Sequence, residues 1–506
     1  MFSRILSAAV CGIDGLPIQV EADVSDGLPG FTMVGDLSAK VKEAQDRVTT
    51  AFRNSGIRLM PKRITVNLSP ADVHKDGTGY DLPVALAVLM SYQILLPEAA
   101  RGILAVGELS LNGAVRGVRG VLPMVQAAKK LGCRACILPE ANRAEGELIP
   151  DIRIIGVESL KEAIAFLESG KVAEREKRSP FYIEETQFMD FCYINGQSVL
   201  RRAAEIAVCG RHNFLMVGPP GAGKSMLAKC VPGILPPLTL EESLEISAIY
   251  SVAGKLSDEH PLITKRPFRA PHHTVSSQAL AGGGRIPKPG EISLAHKGIL
   301  FLDELPEFKR EVLETLRQPL EEKAVHISRV YGSYCFPADC MILAAMNPCP
   351  CGYFPDMQRC TCTEHEVRRY QSRISHPLLD RMDISVEAGR VTYEELISEK
   401  QNESSAQIRE RVVQVSRIQQ ERYSGSGFRF NAELDVSGVR KYCAIGEKEQ
   451  KILSEAYRKF ELTARACHRV LKVARTIADM DGREQIEEDH LCEAISYRVF
   501  EKRLWR

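Results

Sequence analysis

The run Gly218-Pro219-Pro220-Gly221-Ala222-Gly223-Lys224-Ser225 sets four residues between two glycines and follows the second glycine with lysine and serine. Such a loop lets backbone N–H groups curl around phosphate oxygens, while the lysine reaches the β- and γ-phosphates and the serine hydroxyl ligates Mg²⁺. Its context suits that task. Asn213 to Val217 reads as a buried strand entering the loop, and Met226 to Cys230 as a helix leaving it. The plainer alternative, a Gly-rich turn, weakens at Gly298-Ile299-Leu300-Phe301-Leu302-Asp303-Glu304, where an apolar strand ends in two carboxylates. Asp303 would hold the Mg²⁺ shell and Glu304 would orient and polarise the attacking water, because phosphoryl transfer asks a protein mainly for positioning and charge stabilisation. The competing role for Asp303 is a helix cap. A third apolar run, Met341 to Met346, ends at Asn347, whose amide could sense the γ-phosphate.

Two further groups could do chemistry. Leu378-Leu379-Asp380-Arg381-Met382-Asp383 offers Arg381 as a guanidinium that could reach the γ-phosphate of a neighbouring subunit and stabilise developing charge in trans. Arg373 competes for that role, and a surface ion pair would also explain Arg381. Cys349, Cys351, Cys360 and Cys362 place four thiols within a short stretch between Asn347 and Arg381. They could form a tetrahedral Zn²⁺ site or remain free or redox-active thiols; the C-x-C spacing is tighter than the usual C-x₂₋₄-C. His272 and His273 read as packing or capping residues, since no third ligand at suitable spacing accompanies them.

The elements that must position these groups belong to a chain of 506 residues, long enough for three or four domains at about one per 100–200 residues. Residues 1–170 mix short β-like runs, such as Ile64 to Leu68 and Ile103 to Val106, with helical ones, Leu82 to Leu89 and Val121 to Leu131, as an α+β domain does. Residues 171–189, with the charged stretch Gly170 to Ser179, read as a linker. Residues 190–395 alternate strands and helices as an α/β core does. Residues 396–506 are charged and helical, with one amphipathic segment from Thr463 to Met480 that Thr463 can cap and Gly482 can end.

Bulk charge points to no partner: 66 Lys+Arg against 65 Asp+Glu leave +1, so any polyanion must meet a local patch. Fifteen cysteines without a disulfide-like pattern suit a reducing cytosol. The opening MFSRILSAAVCGIDGLP reads as a first strand rather than a leader, and no run reaches the roughly 18 apolar residues of a membrane span. The expectation is a cytoplasmic protein.

The order of motifs resembles the AAA+ branch that holds magnesium-chelatase motor subunits and replicative MCM helicases. The run Pro267-Phe268-Arg269-Ala270-Pro271-His272-His273-Thr274, then Gly282-Gly283-Gly284, then PKPGEISLAHKGILFLDELPEF, resembles the YifB/ComM family of chelatase-like ATPases over essentially the whole chain. The resemblance implies ATP and Mg²⁺ as cofactors, a homo-hexameric ring and Arg465, with Arg469 behind it, as a second nucleotide sensor in a C-terminal helical lid. It also implies a pore lined by the segment between the phosphate motifs and by a hairpin from Glu322 to Pro337, with Arg329 at a basic pore position. Single charges such as Arg269, Arg285, Lys288 and Arg329 are otherwise ordinary solvated residues, but six copies around a ring would make a positive annulus.

His74 to Asp81 and Gly107 to Gly113 resemble the Lon-protease-like fold. Gly79 stands at the serine position and Leu122 at the lysine position, so this domain would be non-proteolytic and serve assembly or DNA contact. The activity implied is helicase-like branch migration of recombination intermediates, on single-stranded or branched DNA, during uptake of foreign DNA. A chelatase-like or protein-remodelling motor working through a partner protein is the second reading; the chain carries no D-x-S-x-S metal-adhesion motif of its own. An ATP-dependent peptidase is the third.

Overall fold

Three strands of the motor sheet are so uniformly apolar that they can only be covered on both faces, and this dictates a parallel sheet sandwiched by helices. In the computed structural model, which describes residues 1–171, 188–257, 259–329, 332–396 and 402–504, that sheet runs Phe268–Arg269, Ile299–Leu302, Met341–Met346, Phe214–Val217, Ile384–Glu387, all parallel. Residues of Phe214–Val217, Ile299–Leu302 and Met341–Met346 are all buried. The linker expected at 171–189 falls mostly on residues 172–187, outside the described ones.

The N-terminal part is a separate seven-stranded sheet in the order Gly30–Val34, Arg63–Ser69, Asp14–Ser25, Phe2–Cys11, Ile103–Ala105, Ala135–Pro139, Arg153–Val157. The opening residues do form a strand, paired antiparallel with Asp14–Ser25 from Phe2↔Asp23 to Cys11↔Asp14. Helix Asp81–Ser91 is buried along its whole length against this sheet, which explains its almost uninterrupted apolar run. A smaller apolar cluster joins this part to the motor: Leu104, Val106, Val121 and Leu122 pack with Ala248 and Leu262. At its edge Glu145 accepts hydrogen bonds from Leu122 N–H at 2.8 Å, from Asn142 and from the Ser251 hydroxyl across the junction.

The C-terminal helices Ser405–Arg422 and Ala464–Met480 close over helix Ser198–Gly210, and Glu488–Leu504 packs on Ala464–Met480 and on strand Ile384–Glu387. Thr463 caps Ala464–Met480 by accepting from Ala466 N–H at 3.1 Å, and Gly482 turns left-handed just past its end. Val470, Ala474, Ile477 and Ala478 are buried on one face, as the amphipathic pattern requires. The same helix buries a polar knot. Asp479 accepts from Arg422 (2.8 Å), Arg475 (3.0 Å) and Asn431 (2.9 Å), and Asn431 also accepts from the Tyr423 hydroxyl. No helix among the described residues is long and apolar enough to cross a membrane.

Asp479 is fully buried and neutralises two guanidiniums. Asp479→Ala strands both charges and should cost about 3–5 kcal/mol, read as a lower urea midpoint of the helical signal. An unchanged midpoint would show that the knot adds no net stability.

Candidate nucleotide-hydrolysis site

Register brings the predicted residues together. Val217 lies opposite Met346 and Leu302 opposite Ala344, so the phosphate loop, Asn347 and Asp303-Glu304 leave neighbouring strands at the same end of the sheet. Gly221 and Gly223 adopt left-handed φ of 77° and 81°, which side chains rarely tolerate. Gly218 answers a different need: a Cβ there would lie 2.4 Å from the Ala388 carbonyl oxygen. Pro219, Pro220 and Ala222 complete the loop, and Gln197 Nε2 ties it down by donating to the Ala222 carbonyl at 3.1 Å.

Lys224 Nζ donates to the Gly218 and Pro219 carbonyls (2.7 and 2.9 Å) and to Asn347 Oδ1 (3.2 Å). Burial pushes its pKa down to about 8, with Asp303 opposing the shift. An ammonium held on carbonyl oxygens and partly desolvated is poised for a stronger anion, and a triphosphate supplies one. Ser225 Oγ donates to Asp303 Oδ2 at 2.6 Å, so the two oxygens expected to hold Mg²⁺ already face each other. Glu304 sits at the strand exit with φ +52°, a strained conformation for a non-glycine residue. Its side chain is 59% exposed, and one of its oxygens lies 3.2 Å from His273 Nδ1.

His273, read from the sequence as a packing or capping residue, instead lies against Glu304, the residue expected to position the water. The short strand Phe268–Arg269 pairs with Ile299–Leu302, so residues just beyond the first land beside residues just beyond the second. That neighbourhood follows from strand order, which the chain's linear spacing does not display. His272 makes the local turn expected of it, with Nδ1 2.9 Å from Thr274 Oγ1. Arg269 is no free cation: it forms a paired ion contact with Glu291 at 2.6 and 2.9 Å.

The remaining arginines separate. Arg373 lies near the acidic strand end, donating to the Pro306 carbonyl and to Glu307 at 2.9 Å. Arg381 precedes strand Ile384–Glu387, and its backbone carbonyl accepts from Asn213, which precedes strand Phe214–Val217. Arg381 therefore sits at the opposite end of these strands from its own phosphate loop, more than about 10 Å away at 3.3 Å per residue. Arg465 joins it there. Glu321 accepts from Arg381 and lies 3.6 Å from Arg465, while Arg469 donates to the Met382 carbonyl at 3.2 Å. These side chains line a cleft of about 530 Å³ with Arg211, Lys323 and Lys472. Cys349, Cys351, Cys360 and Cys362 gather beside the phosphate loop, all four sulfurs within 4.8 Å of one another.

Family models for the magnesium chelatase subunit ChlI match residues 190–396, with further ChlI models over residues 20–142 and, for its C-terminal part, 402–498. Competence protein ComM of Haemophilus influenzae is 41% identical over 500 residues, 98% of this chain and 97% of that one. The chain belongs to the YifB/ComM family of magnesium-chelatase-like AAA+ ATPases. YifB of Salmonella typhimurium is 42% identical over 498 residues, 98% of this chain and 97% of its own. Lon protease of Salinispora arenicola is 30% identical over 151 residues, 28% of this chain and 19% of that protein. Family membership makes the chain an ATPase of the AAA+ class, with ATP and Mg²⁺ as its cofactors, and identifies the N-terminal fold as Lon-like. In that fold Leu122 is fully buried, Gly79 borders a cleft of about 720 Å³, and no serine is among the described residues lining the cleft.

Lys224→Ala should abolish binding of a fluorescent ATP analogue, whereas Glu304→Gln should bind it normally and hydrolyse ATP about 10²–10⁴-fold more slowly; ordinary turnover in either removes that residue from its role. His273→Ala should leave ATP affinity intact and slow hydrolysis by about 10–100-fold, the scale of losing a partner that orients a reacting group. A wild-type rate would make the Glu304 contact incidental.

Proposed function

We propose that this chain assembles into a homo-hexameric ring that hydrolyses ATP between subunits and moves along or remodels DNA, acting in branch migration of recombination intermediates as ComM-like proteins do. One observation carries the DNA reading: two segments far apart in sequence present exposed cations at one place. Arg329, on the hairpin Ala324–Arg329 and Gly332–Pro337, donates to the Gly284 carbonyl at 3.1 Å, next to exposed Arg285 and Lys288. Repeated around a ring, this cluster makes a positive channel despite the neutral composition. The position of Arg381 supports the ring. It lies at the far end of its own sheet, away from its own phosphate loop, and lines the cleft with Arg465 and Arg469 that a neighbour's γ-phosphate would enter.

In this reading residues 190–395 hydrolyse ATP, 396–506 form the lid that brings Arg465 to the shared site, and 1–170, without a peptidase dyad, serve assembly or DNA contact across the 171–189 linker. Ser225 and Asp303 would hold Mg²⁺, which neutralises charge on the phosphates; Asn347 and Lys224 position the γ-phosphate and Glu304 the water. The protein acts in the cytoplasm.

Steady-state ATPase rates with single-stranded, duplex and branched DNA, with Glu304→Gln as the blank, test the substrate. Stimulation strongest on branched DNA and weakening steeply with salt is expected; a rate indifferent to every DNA would replace this reading with a motor that works through a partner protein. Arg381→Ala should bind ATP normally and lose about 10³-fold or more in turnover. Mixing it with Lys224→Ala subunits, which keep Arg381, should restore activity, and a mixture as inert as its components would overturn action in trans.

A further inference from the structure

The stretch from Asn347 to Thr363 contains no helix or strand, yet it lies against the phosphate loop. A long irregular segment in so sensitive a place needs something to hold it. Its exposed Met357 and Tyr353 give it little core of its own. What it does have is sulfur. The sulfurs of Cys349 and Cys351 are 3.4 Å apart, those of Cys351 and Cys360 3.6 Å, those of Cys349 and Cys360 3.8 Å, and Cys362 completes a group within 4.8 Å. Four thiolates around Zn²⁺ at about 2.3 Å stand about 3.8 Å from one another along the edges of a tetrahedron. The tight C-x-C pairs are therefore no obstacle, since the fold closes them onto a single centre. Phe354 N–H donates to Cys349 Sγ at 3.3 Å, the kind of contact that supports a ligating sulfur.

The loop carrying these thiols is braced at four points, two of them against the nucleotide site. Gly352 has φ +85°, and a Cβ on it would stand 2.4 Å from Pro220 Cδ, so its backbone lies directly on the phosphate loop. Asn347, two residues before the first cysteine, accepts from Lys224. The Pro348 carbonyl accepts from Gln371 at 3.1 Å, and Tyr353 lies under the Arg390 guanidinium at 5.2 Å.

We propose that Cys349, Cys351, Cys360 and Cys362 hold one Zn²⁺ as a tetrathiolate, and that this ion sets the positions of the phosphate loop and Asn347. Binding converts the thiols to thiolates, releases their protons to solvent and changes no oxidation state. The bracing half of the proposal rests on the nucleotide site described above; the metal half does not.

Metal analysis of the full chain, purified without added metal or chelator, should find one zinc per chain, releasable by an organomercurial into a chromophoric chelator. Cys360→Ser with Cys362→Ser should hold less than a tenth of that. Stripping zinc from the parent chain with a strong chelator should lower turnover about a hundredfold, the scale of a 1 Å misplacement, and added Zn²⁺ should restore it; this comparison stands even where the double variant fails to fold. Gly352→Ala should keep its zinc and lose turnover, separating the brace from the metal. A chain that neither contains zinc nor takes it up in competition with a chelator, or that carries iron or a disulfide instead, overturns the metal site. A zinc-loaded chain whose ATP affinity and turnover survive stripping overturns the brace while leaving the nucleotide site untouched.

Discussion

The register of three buried parallel strands is the constraint on which the chemistry depends. Phe214–Val217 and Ile299–Leu302 flank Met341–Met346; Val217 ends level with Met346, and Leu302 ends two residues earlier, opposite Ala344. None of the four polar groups at those exits chose its neighbours. Lys224, Ser225, Asp303 and Asn347 converge because Val, Leu, Ile, Met and Phe side chains fill both faces of the sheet and forbid slippage. The Gly218 backbone pressed on Ala388 adds a second fixed point, from the strand on the other side. Catalytic geometry here is a by-product of apolar packing, which holds it more rigidly than surface hydrogen bonds could.

Much of this was legible in the chain itself. A motif whose function needs a contiguous loop, such as Gly218 to Ser225, displays its spacing directly, and an apolar run that ends in two acids displays the strand that delivers them. The Thr463 cap and the buried stripe of Val470, Ala474 and Ile477 followed from helical period alone. What the sequence hid were pairings between segments distant in number. His273 against Glu304 depends on which strand lies at the edge. Arg381 with Arg465 on one carboxylate, Glu321, depends on how the helical lid folds back, and Arg269 looked free until Glu291 was placed beside it. Charges read from sequence carry sign but not partner, so their roles emerge only with the fold.

The sheet also separates two kinds of work by its two ends. One end gathers Lys224, Ser225, Asp303 and Asn347, the groups proposed to hold phosphate and Mg²⁺. The other gathers guanidiniums that no phosphate of the same chain can reach. In the proposed ring those guanidiniums would face the phosphates of a neighbouring subunit. The hairpin and the Gly282 to Lys288 segment occupy a further surface, also lined by the N-terminal part: a Cβ on Gly12 would lie 2.6 Å from the Cys335 carbonyl oxygen, and Tyr334 and Ile286 border the Lon-like cleft.

The junction between that domain and the motor turns on the Glu145 carboxylate, which serves Leu122 and Asn142 on one side and Ser251 on the other. A buried acid with donors on both sides does not tolerate the loss of either set, because an unpaired partner is costlier than none. The two halves are thus bound in chemistry as well as in space. A chimera that grafts a foreign N-terminal domain onto this motor must bring a matching acid for Ser251, or change the serine with it.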